Sequence, residues 1–586
     1  MAKGLPQIDA LKIRLEDEGD RCILIHCAAL VNPIQSVNRI THLIIDHQAK
    51  WMRDIAPGLD SILIHLDFQH QIPQQIRDIA KQDILNWITQ YCANEDHTFS
   101  IQNTTHLLRV CYDPAVAPDL MRSAEQCQIS VRELIERHKN SKFTADMIGF
   151  MPGFAYFSGL DPKLSLPRLS TPRPLVPAGS VAIVGEQTVI YPSPSPGGWN
   201  LIGQCPDRLF DPQKNPPTLF RPGDQIQIQE ISLRELKELE AFRQVSPRSE
   251  KVIQKDIEVL SVGLLTTIQD LPRYGMMHIA LSPGGAVDQA AMHLANALVG
   301  NEGDEAVLEM TSSGAKLWFH KETLIAWVGA QCDVLMNQQT LRSNRPTWVK
   351  ADSIVEFKHF HHGFRIVMAI AGGIDAPEVL GRRGTHLFAN LGPKKIKKGD
   401  FLGLKKPTQA FNRPYLQKLH QSSLEIRAAK WSIASPYVSD AEVIDVFAMN
   451  GQQLHLLTEL EQQAFWRTIW TVSSQSNRMG IRLQGDFSIQ TTLSGISSQG
   501  LTFGTIQLPS SGEPIIMLCE HQTTGGYPKL AEVIESEQSK LAQLKPGQKI
   551  RLQPIQVADA DKMNIAFQEE IHARLKGIRI VLEEKN

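Results

Sequence analysis

The sequence predicts a mainly β protein with a small α+β domain at its N-terminus. Three observations carry this reading. First, one β module is used twice. Gly185-Glu186 precedes Ser195-Pro196-Gly197-Gly198-Trp199, then Arg221-Pro222-Gly223-Asp224 and the alternating Gln225-Ile226-Gln227-Ile228. Gly512-Glu513 precedes Thr523-Thr524-Gly525-Gly526-Tyr527, then Lys545-Pro546-Gly547-Gln548 and Lys549-Ile550-Arg551-Leu552. A double glycine before an aromatic, then a turn that launches a period-two strand, marks a repeated unit. Second, residues 151–224 are dense in Pro and Gly and hold short apolar runs, the texture of a barrel or sandwich. Third, the first hundred residues alternate strand and helix signals.

In chain order, Arg21-Cys22-Ile23-Leu24-Ile25-His26 and Ile62-Leu63-Ile64-His65-Leu66-Asp67 read as strands, and 34–51 and 74–92 carry helical spacing. These make an α/β domain over 1–100. Leu107-Leu108-Arg109-Val110-Cys111-Tyr112 opens a β module at 101–230, in which 119–138 form two short helices. Residues 231–255 are charged and turn-prone and read as a linker between two halves. The second half comprises a β-rich module at 256–410, a connector at 411–439, a second β-rich module at 440–556 and a charged helical tail at 557–586.

With 586 residues the chain is too long for one core. Its 42% apolar and 21% charged residues are ordinary for a globular protein, and a net charge of −2 gives no electrostatic grip on nucleic acid or anionic lipid. The eight cysteines contain no Cys-x-x-Cys pair, which fits reduced thiols in a cytoplasm. Residues 1–18 lack the apolar stretch of a signal peptide, and no run approaches the roughly twenty residues that span a bilayer. Neither a Gly-x-x-x-x-Gly-Lys nor a Gly-x-Gly-x-x-Gly phosphate loop occurs. His359, His361 and His362 read as a solvated segment rather than a metal site, and Ser312-Ser313-Gly314 and Ser510-Ser511-Gly512 read as turns.

Set side by side, these motifs resemble a fusion of the B and C subunits of 5-oxoprolinase, in the wider family that includes the carboxyltransferase domain of urea carboxylase (the allophanate hydrolase subunit 1 and 2 domains). The first half carries the resemblance in Gly149-Phe150-Met151-Pro152-Gly153-Phe154, Thr171-Pro172-Arg173, Val176-Pro177-Ala178-Gly179-Ser180-Val181 and Ser195-Pro196-Gly197-Gly198-Trp199. The second carries it in Thr267-Ile268-Gln269-Asp270, Arg273-Tyr274-Gly275, Ser282-Pro283-Gly284-Gly285-Ala286-Val287-Asp288, Ala371-Gly372-Gly373-Ile374, Arg478-Met479-Gly480 and Gln522-Thr523-Thr524-Gly525-Gly526-Tyr527-Pro528. The chain departs from the family pattern at Asn477, at Glu520-His521 and at Gly381-Arg382-Arg383-Gly384-Thr385.

The resemblance implies cyclophilin-like β-barrels, one in the first half and two in tandem in the second. It implies ATP-dependent opening of 5-oxoproline to glutamate, Mg2+ accompanying the ATP, no attached biotin, and a separate A-type partner without which the chain is inactive. A homo-oligomer is compatible with it. Phosphorylating the lactam oxygen creates a leaving group, and that chemistry calls for anion-binding backbone, positive charge and a proton carrier. Gly153, Gly179, Gly197 and Gly198 are candidates for close backbone approach to phosphate, although such glycines more often serve turns. Arg173 and Arg168 are candidates for charge neutralisation. His138 is a candidate proton carrier or, equally, a helix cap. Tyr156, Ser195 and Trp199 line the candidate ligand site of the first half, and Trp199 and Tyr156 read alternatively as core. Gln522 and Tyr527, as catalytic candidates, with Arg478, Thr523, Gly525 and Gly526, form the second half's share and suit a small amide substrate. Two other functions compete: carboxyl transfer to urea or a related amide with biotin supplied in trans, and regulation by binding a sensor histidine kinase.

Overall fold

The computed structural model describes residues 12–68, 71–93, 103–244, 254–406, 412–437, 439–487 and 495–584. Four antiparallel strands, Arg14–Glu18, Cys22–His26, Ser61–Leu66 and Met52–Pro57 in that spatial order, form the N-terminal sheet. Helices Pro33–Asp46 and Pro73–Ala93 cover one face. Asn32 caps the first by accepting the N–H of Gln35, and Pro33 occupies its first turn, where a missing N–H costs nothing. Residues 22–25 of strand Cys22–His26 are an unbroken apolar run because both of their faces are buried. Ile23 and Ile25 pack under the helices, whereas Cys22 and Leu24 meet Met277 of the second half.

The next module is a seven-stranded sheet whose last strand, Gln225–Glu230, pairs parallel with its first, Thr105–Val110. The final module is a closed seven-stranded barrel in which Lys549–Pro554 pairs parallel with Val443–Asn450. The two repeated motifs thus end in strands that play the same part, each returning to lie beside the strand that opened its module. Between them lies a nine-stranded sheet built on two long strands, Thr323–Met336 and Ser353–Ile370, which pair along their length and are bent by register shifts between Gly329 and Val334. His359, His361 and His362 lie exposed on the second of these strands, and the ring of His361 faces Asp333 at 3.1 Å.

The linker region holds a helix, Leu233–Gln244, seated through Leu236 against Cys111 and Ile231. The connector holds the helix Pro414–His420 and a bridge from Ala428 to Thr347. The tail is one helix, Val557–Glu583, whose buried stripe (Ala560, Asn564, Ile571, Ile578, Leu582) packs its last three members with Leu294 and Leu298 of the nine-stranded module. No described helix is long and apolar enough to cross a membrane.

The N-terminal domain docks on the second half through polar contacts as well as apolar ones. Buried Glu18 meets buried Lys529 at 2.7 Å, Arg77 pairs with Asp561 on the tail helix, and Asp54 accepts the N–H of Met277 at 3.0 Å.

Candidate active site

A cationic pocket opens on the first-half sheet. Asp119 is its organising anion: it accepts the N–H of Leu201 at 2.7 Å and pairs with Arg173 at 2.6 Å and Arg122 at 3.0 Å. Arg173 also donates to the carbonyl of Trp199, and Gly197 lies opposite Arg173 across the strand pair Ser195–Gly197 and Arg173–Val176. The Thr171-Pro172-Arg173 and Ser195-Pro196-Gly197-Gly198-Trp199 motifs therefore build one wall together. The cavity measures about 380 Å³ and is lined by Arg122, Gln126, Arg168, Ser170, Thr171 and Arg173, among others. Arg122 and Arg173 share one carboxylate and Arg168 adds a third guanidinium to the lining, so the pocket keeps an excess of positive charge suited to phosphate or carboxylate oxygens. Arg168 lies 6.0 Å from the ring of Trp199, which carries no formal charge to neutralise it.

The glycines of this region serve the backbone. Gly153 and Gly179 stand at φ +81° and +83°, conformations that disfavour other residues. The N–H of Gly179 is spent on the carbonyl of Tyr191 at 2.6 Å, so it does not face a ligand. A Cβ on Gly197 would lie 2.4 Å from the Tyr191 hydroxyl, so this glycine is required by packing. Ser195 is buried, and its hydroxyl has no hydrogen-bond partner among the described residues.

His138 does not reach this pocket. It is fully buried, its Nδ1 paired with the Tyr112 hydroxyl at 2.8 Å and its Nε2 with Thr188 Oγ1 at 3.0 Å. Burial pushes its pKa down to about 3. The expectation of a proton carrier is corrected: both ring nitrogens are used within the core, and the ring neither meets solvent nor caps its helix.

An aromatic cluster connects the pocket to the junction of the halves. Trp199 contacts Tyr156, Tyr156 contacts Phe154, Phe154 contacts Phe150, and Phe150 meets Phe388 of the second half edge-on at 5.7 Å. Burial raises the Tyr156 hydroxyl to about 12, so it stays a neutral donor. At the junction, Phe150 is held at φ +66°, rare for a bulky residue, and its N–H donates to Thr524 Oγ1 at 3.3 Å. A Cβ on Gly149 would lie 2.7 Å from that same oxygen. The most distinctive motif of each half thus meets the other.

The loop carrying Phe388 is anchored by ions. Glu520 accepts the Phe388 N–H at 3.0 Å and pairs with Nε of Arg478 at 2.6 Å; Arg478 also pairs with Glu309 and donates to the carbonyl of Gly285. Burial alone would raise the Glu520 carboxyl, but the Arg478 guanidinium, helped by the Phe388 N–H, outweighs it and holds it below its ordinary value. The expected ligand-binding role of Arg478 is corrected here: the side chain is 3% exposed and its donors are committed to the network. Its partners Glu309 and Glu520 escaped sequence reading. Glu309 has no motif around it, and Glu520 counted as a departure from the family pattern although it completes the ion pair.

Ser282, His386 and Glu520 together imitate a nucleophile triad without its logic. His386 Nδ1 accepts the Ala389 N–H at 3.1 Å, so the proton sits on Nε2, which faces Ser282 through both its hydroxyl and its carbonyl at 3.1 Å. That nitrogen cannot take the serine proton. Of the remaining second-half candidates, Gln522 is half-buried with its amide beside Gly525, Thr523 is buried with no partner for its hydroxyl among the described residues, Gly526 is half-buried and Tyr527 is exposed. The Tyr527 carbonyl accepts the side-chain N–H of Gln507 at 3.1 Å.

Fold and junction define a bipartite β protein, with a cationic pocket on one part and an ion-anchored loop on the other. The comparisons match that division. Residues 279–554 match the family described as carboxyltransferase domain, subdomain A and B, and residues 13–220 match carboxyltransferase domain, subdomain C and D. The chain is 33% identical over 309 residues to the C subunit of the Escherichia coli 5-oxoprolinase, covering 52% of this chain and 93% of that protein. It is 34% identical over 233 residues to the B subunit of the Bacillus subtilis 5-oxoprolinase, covering 38% of this chain and 94% of that protein. A urea amidolyase of Lachancea kluyveri is 31% identical over 313 residues, 51% of this chain but 17% of the amidolyase. The crystal structure of TTHA0988 superposes over 91% of this chain and 99% of its own with a TM-score of 0.73 at 24% identity, a shared fold. The chain belongs to the carboxyltransferase-domain family, as a fusion of a B-type half with a C-type half.

Proposed function

We propose that the chain is the B and C component of an ATP-dependent 5-oxoprolinase, opening 5-oxoproline to glutamate together with a separate A-type partner. The carrying observation is that each half aligns with nearly the full length of one 5-oxoprolinase component, while both halves contribute their signature motifs to one junction. Bound ATP would supply the phosphoryl group that turns the lactam oxygen into a leaving group. The cationic pocket fits such a ligand: Arg122, Arg168 and Arg173 offer guanidinium donors, and Ser170 and Thr171 offer hydroxyls. Arg173, steered by Asp119, holds an oxyanion in a fixed orientation; Arg168 adds charge from the rim. Among the described residues no three His, Cys, Asp or Glu groups cluster to hold a cation, so Mg2+ would arrive with the nucleotide. Aromatic walls from Tyr156 and Trp199 exclude water beside the pocket. Among the described residues the cysteines form no disulfide bond, in keeping with a cytoplasmic protein.

The test is glutamate release from 5-oxoproline with Mg-ATP, with and without the A-type partner. Glutamate formed only by the pair supports the reading. A folded pair that leaves 5-oxoproline intact but consumes carboxybiotin and urea would favour the carboxyl-transfer alternative that the amidolyase similarity raises. In the active pair, Arg168→Gln is expected to raise the KM for ATP several-fold and leave the KM for 5-oxoproline unchanged.

A further inference from the structure

A second cavity, separate from the cationic pocket, lies where the N-terminal domain meets both modules of the second half. It measures about 60 Å³, room for roughly four to six water molecules and hence for a small organic molecule. The N-terminal domain contributes Arg53 and His65, the nine-stranded module Tyr274 and Gln289, and the barrel His521 and Glu535. Tyr274 is 39% exposed and the Arg53 side chain 30%, so they form the mouth; His65 and His521, at 6% and 2%, form the floor.

The two imidazoles set the chemistry. His65 bonds the backbone at Leu501 through one ring nitrogen, while its Nε2 is buried with no partner among the described residues. Burial, reinforced by His521 and the neighbouring arginines, pushes its pKa down to about 3. The ring is therefore neutral, with a lone pair left on Nε2. His521 spends Nδ1 on the Gln522 carbonyl at 2.8 Å, and burial lowers it to about 4. The floor thus accepts hydrogen bonds. At the mouth the Arg53 guanidinium, which uses one N–H on Asp67 and stacks 5.0 Å from the Tyr274 ring, donates them, as does the Tyr274 hydroxyl. An anionic group suits the floor poorly, since imidazole lone pairs repel negative charge and Glu535 stands in the wall; a carboxylate on the ligand belongs at the mouth beside the Arg53 guanidinium, while Arg21, also in the lining, is paired with Asp20 at 3.3 Å. A group that pairs an N–H with an adjacent carbonyl oxygen suits it on both sides.

We propose that this junction cavity binds the amide group of a small lactam or urea, its N–H directed to Nε2 of His65 and its oxygen to Arg53 and Tyr274. The inference rests on the amide chemistry of the proposed function and gives it a location at the junction, apart from the cationic pocket. The experiment is calorimetric titration of the full chain, alone and complexed with an A-type partner, with 5-oxoproline, urea and proline. Proline has no amide and is the negative control. Binding of 5-oxoproline is expected, weakened about tenfold by His65→Leu, as for loss of one buried hydrogen bond, and partly restored by His65→Gln. Should His65→Leu not fold, Tyr274→Phe and Arg53→Gln at the mouth carry the test and are expected to weaken binding several-fold at unchanged melting temperature. Binding of 5-oxoproline that all these variants leave untouched overturns the site. Binding of urea in its place, weakened by the same variants, keeps the site and sinks the 5-oxoprolinase reading. Binding of neither probe overturns the inference, and glutamate release by the same pair would then leave the 5-oxoprolinase reading standing without it.

Discussion

Gly197 and Gly198 adjoin in one motif, yet their surroundings separate them. A Cβ on Gly197 would sit 2.4 Å from the buried Tyr191 hydroxyl and 3.0 Å from Val176, while the nearest atom to a Cβ on Gly198 is Pro172 at 3.7 Å. Gly197→Ala is therefore expected to cost about 1–3 kcal/mol through overpacking, and Gly198→Ala to stay within about 0.5 kcal/mol; equal shifts in thermal unfolding would refute the distinction. Sequence reading assigned both glycines the same approach to phosphate because the space around a missing Cβ is set by residues distant in the chain. His138 shows the same limit. Its place near a helix end was legible, but Tyr112 and Thr188, which consume its ring nitrogens, were not. His138→Ala should lower the melting temperature by leaving the Tyr112 hydroxyl without its partner, at about 1–3 kcal/mol, since Thr188 keeps its donation to the Ala182 carbonyl at 3.1 Å, while the folded fraction keeps its kcat. A thousandfold loss of kcat in well-folded protein would restore the histidine to catalysis.

At the level of elements, the strands at 22–26 and 61–66, the two N-terminal helices and the repeated return strand followed from periodicity and turn residues, since those signals are local. The long bent pair 323–336 and 353–370 was not resolved within its β-rich stretch, because pairing register depends on contacts between segments rather than on either alone. Asp54, near the centre of strand Met52–Pro57, shows what such contacts do to chemistry. Burial pushes its carboxyl up to about 7, against the N–H groups of Met277 and Ile55 that favour the charged form. A group that holds its proton more tightly when folded stabilises the fold fully below its unfolded value, near 4, and that contribution is lost as pH rises through about 7. Asp54→Asn keeps an acceptor for Met277 but cannot ionise. The stability difference between wild type and variant should thus move against the wild type between pH 4 and pH 7, read from denaturant midpoints. Parallel profiles across that range would rule the linkage out.

For the whole molecule, the division into halves was legible in the polar linker and the repeated module, but their docking was not. Glu18 and Lys529, or Arg77 and Asp561, carry no mark in sequence that pairs them. Yet these contacts decide whether the linker is a necessity or a convenience. Removing one partner of a buried ion pair costs about 3–5 kcal/mol, and this interface holds the Glu18–Lys529 pair, Arg77 within hydrogen-bonding reach of Asp561, and the Asp54–Met277 bond alongside the apolar contacts of Cys22, Leu24 and Met277. Such an interface should hold without covalent help. Cleaving an engineered protease site within 245–253 is therefore expected to leave two fragments that co-elute at micromolar concentration and retain activity with the A-type partner. Covalent linkage acts as an effective concentration near millimolar, so its loss should appear only on dilution. Lys529→Met leaves Glu18 buried without its cation, and in the cleaved protein it should bring dissociation into the micromolar range while the uncleaved variant stays intact. Fragments of the wild-type chain that separate at micromolar concentration would show instead that the fusion itself, rather than the buried pairs, holds the two halves together.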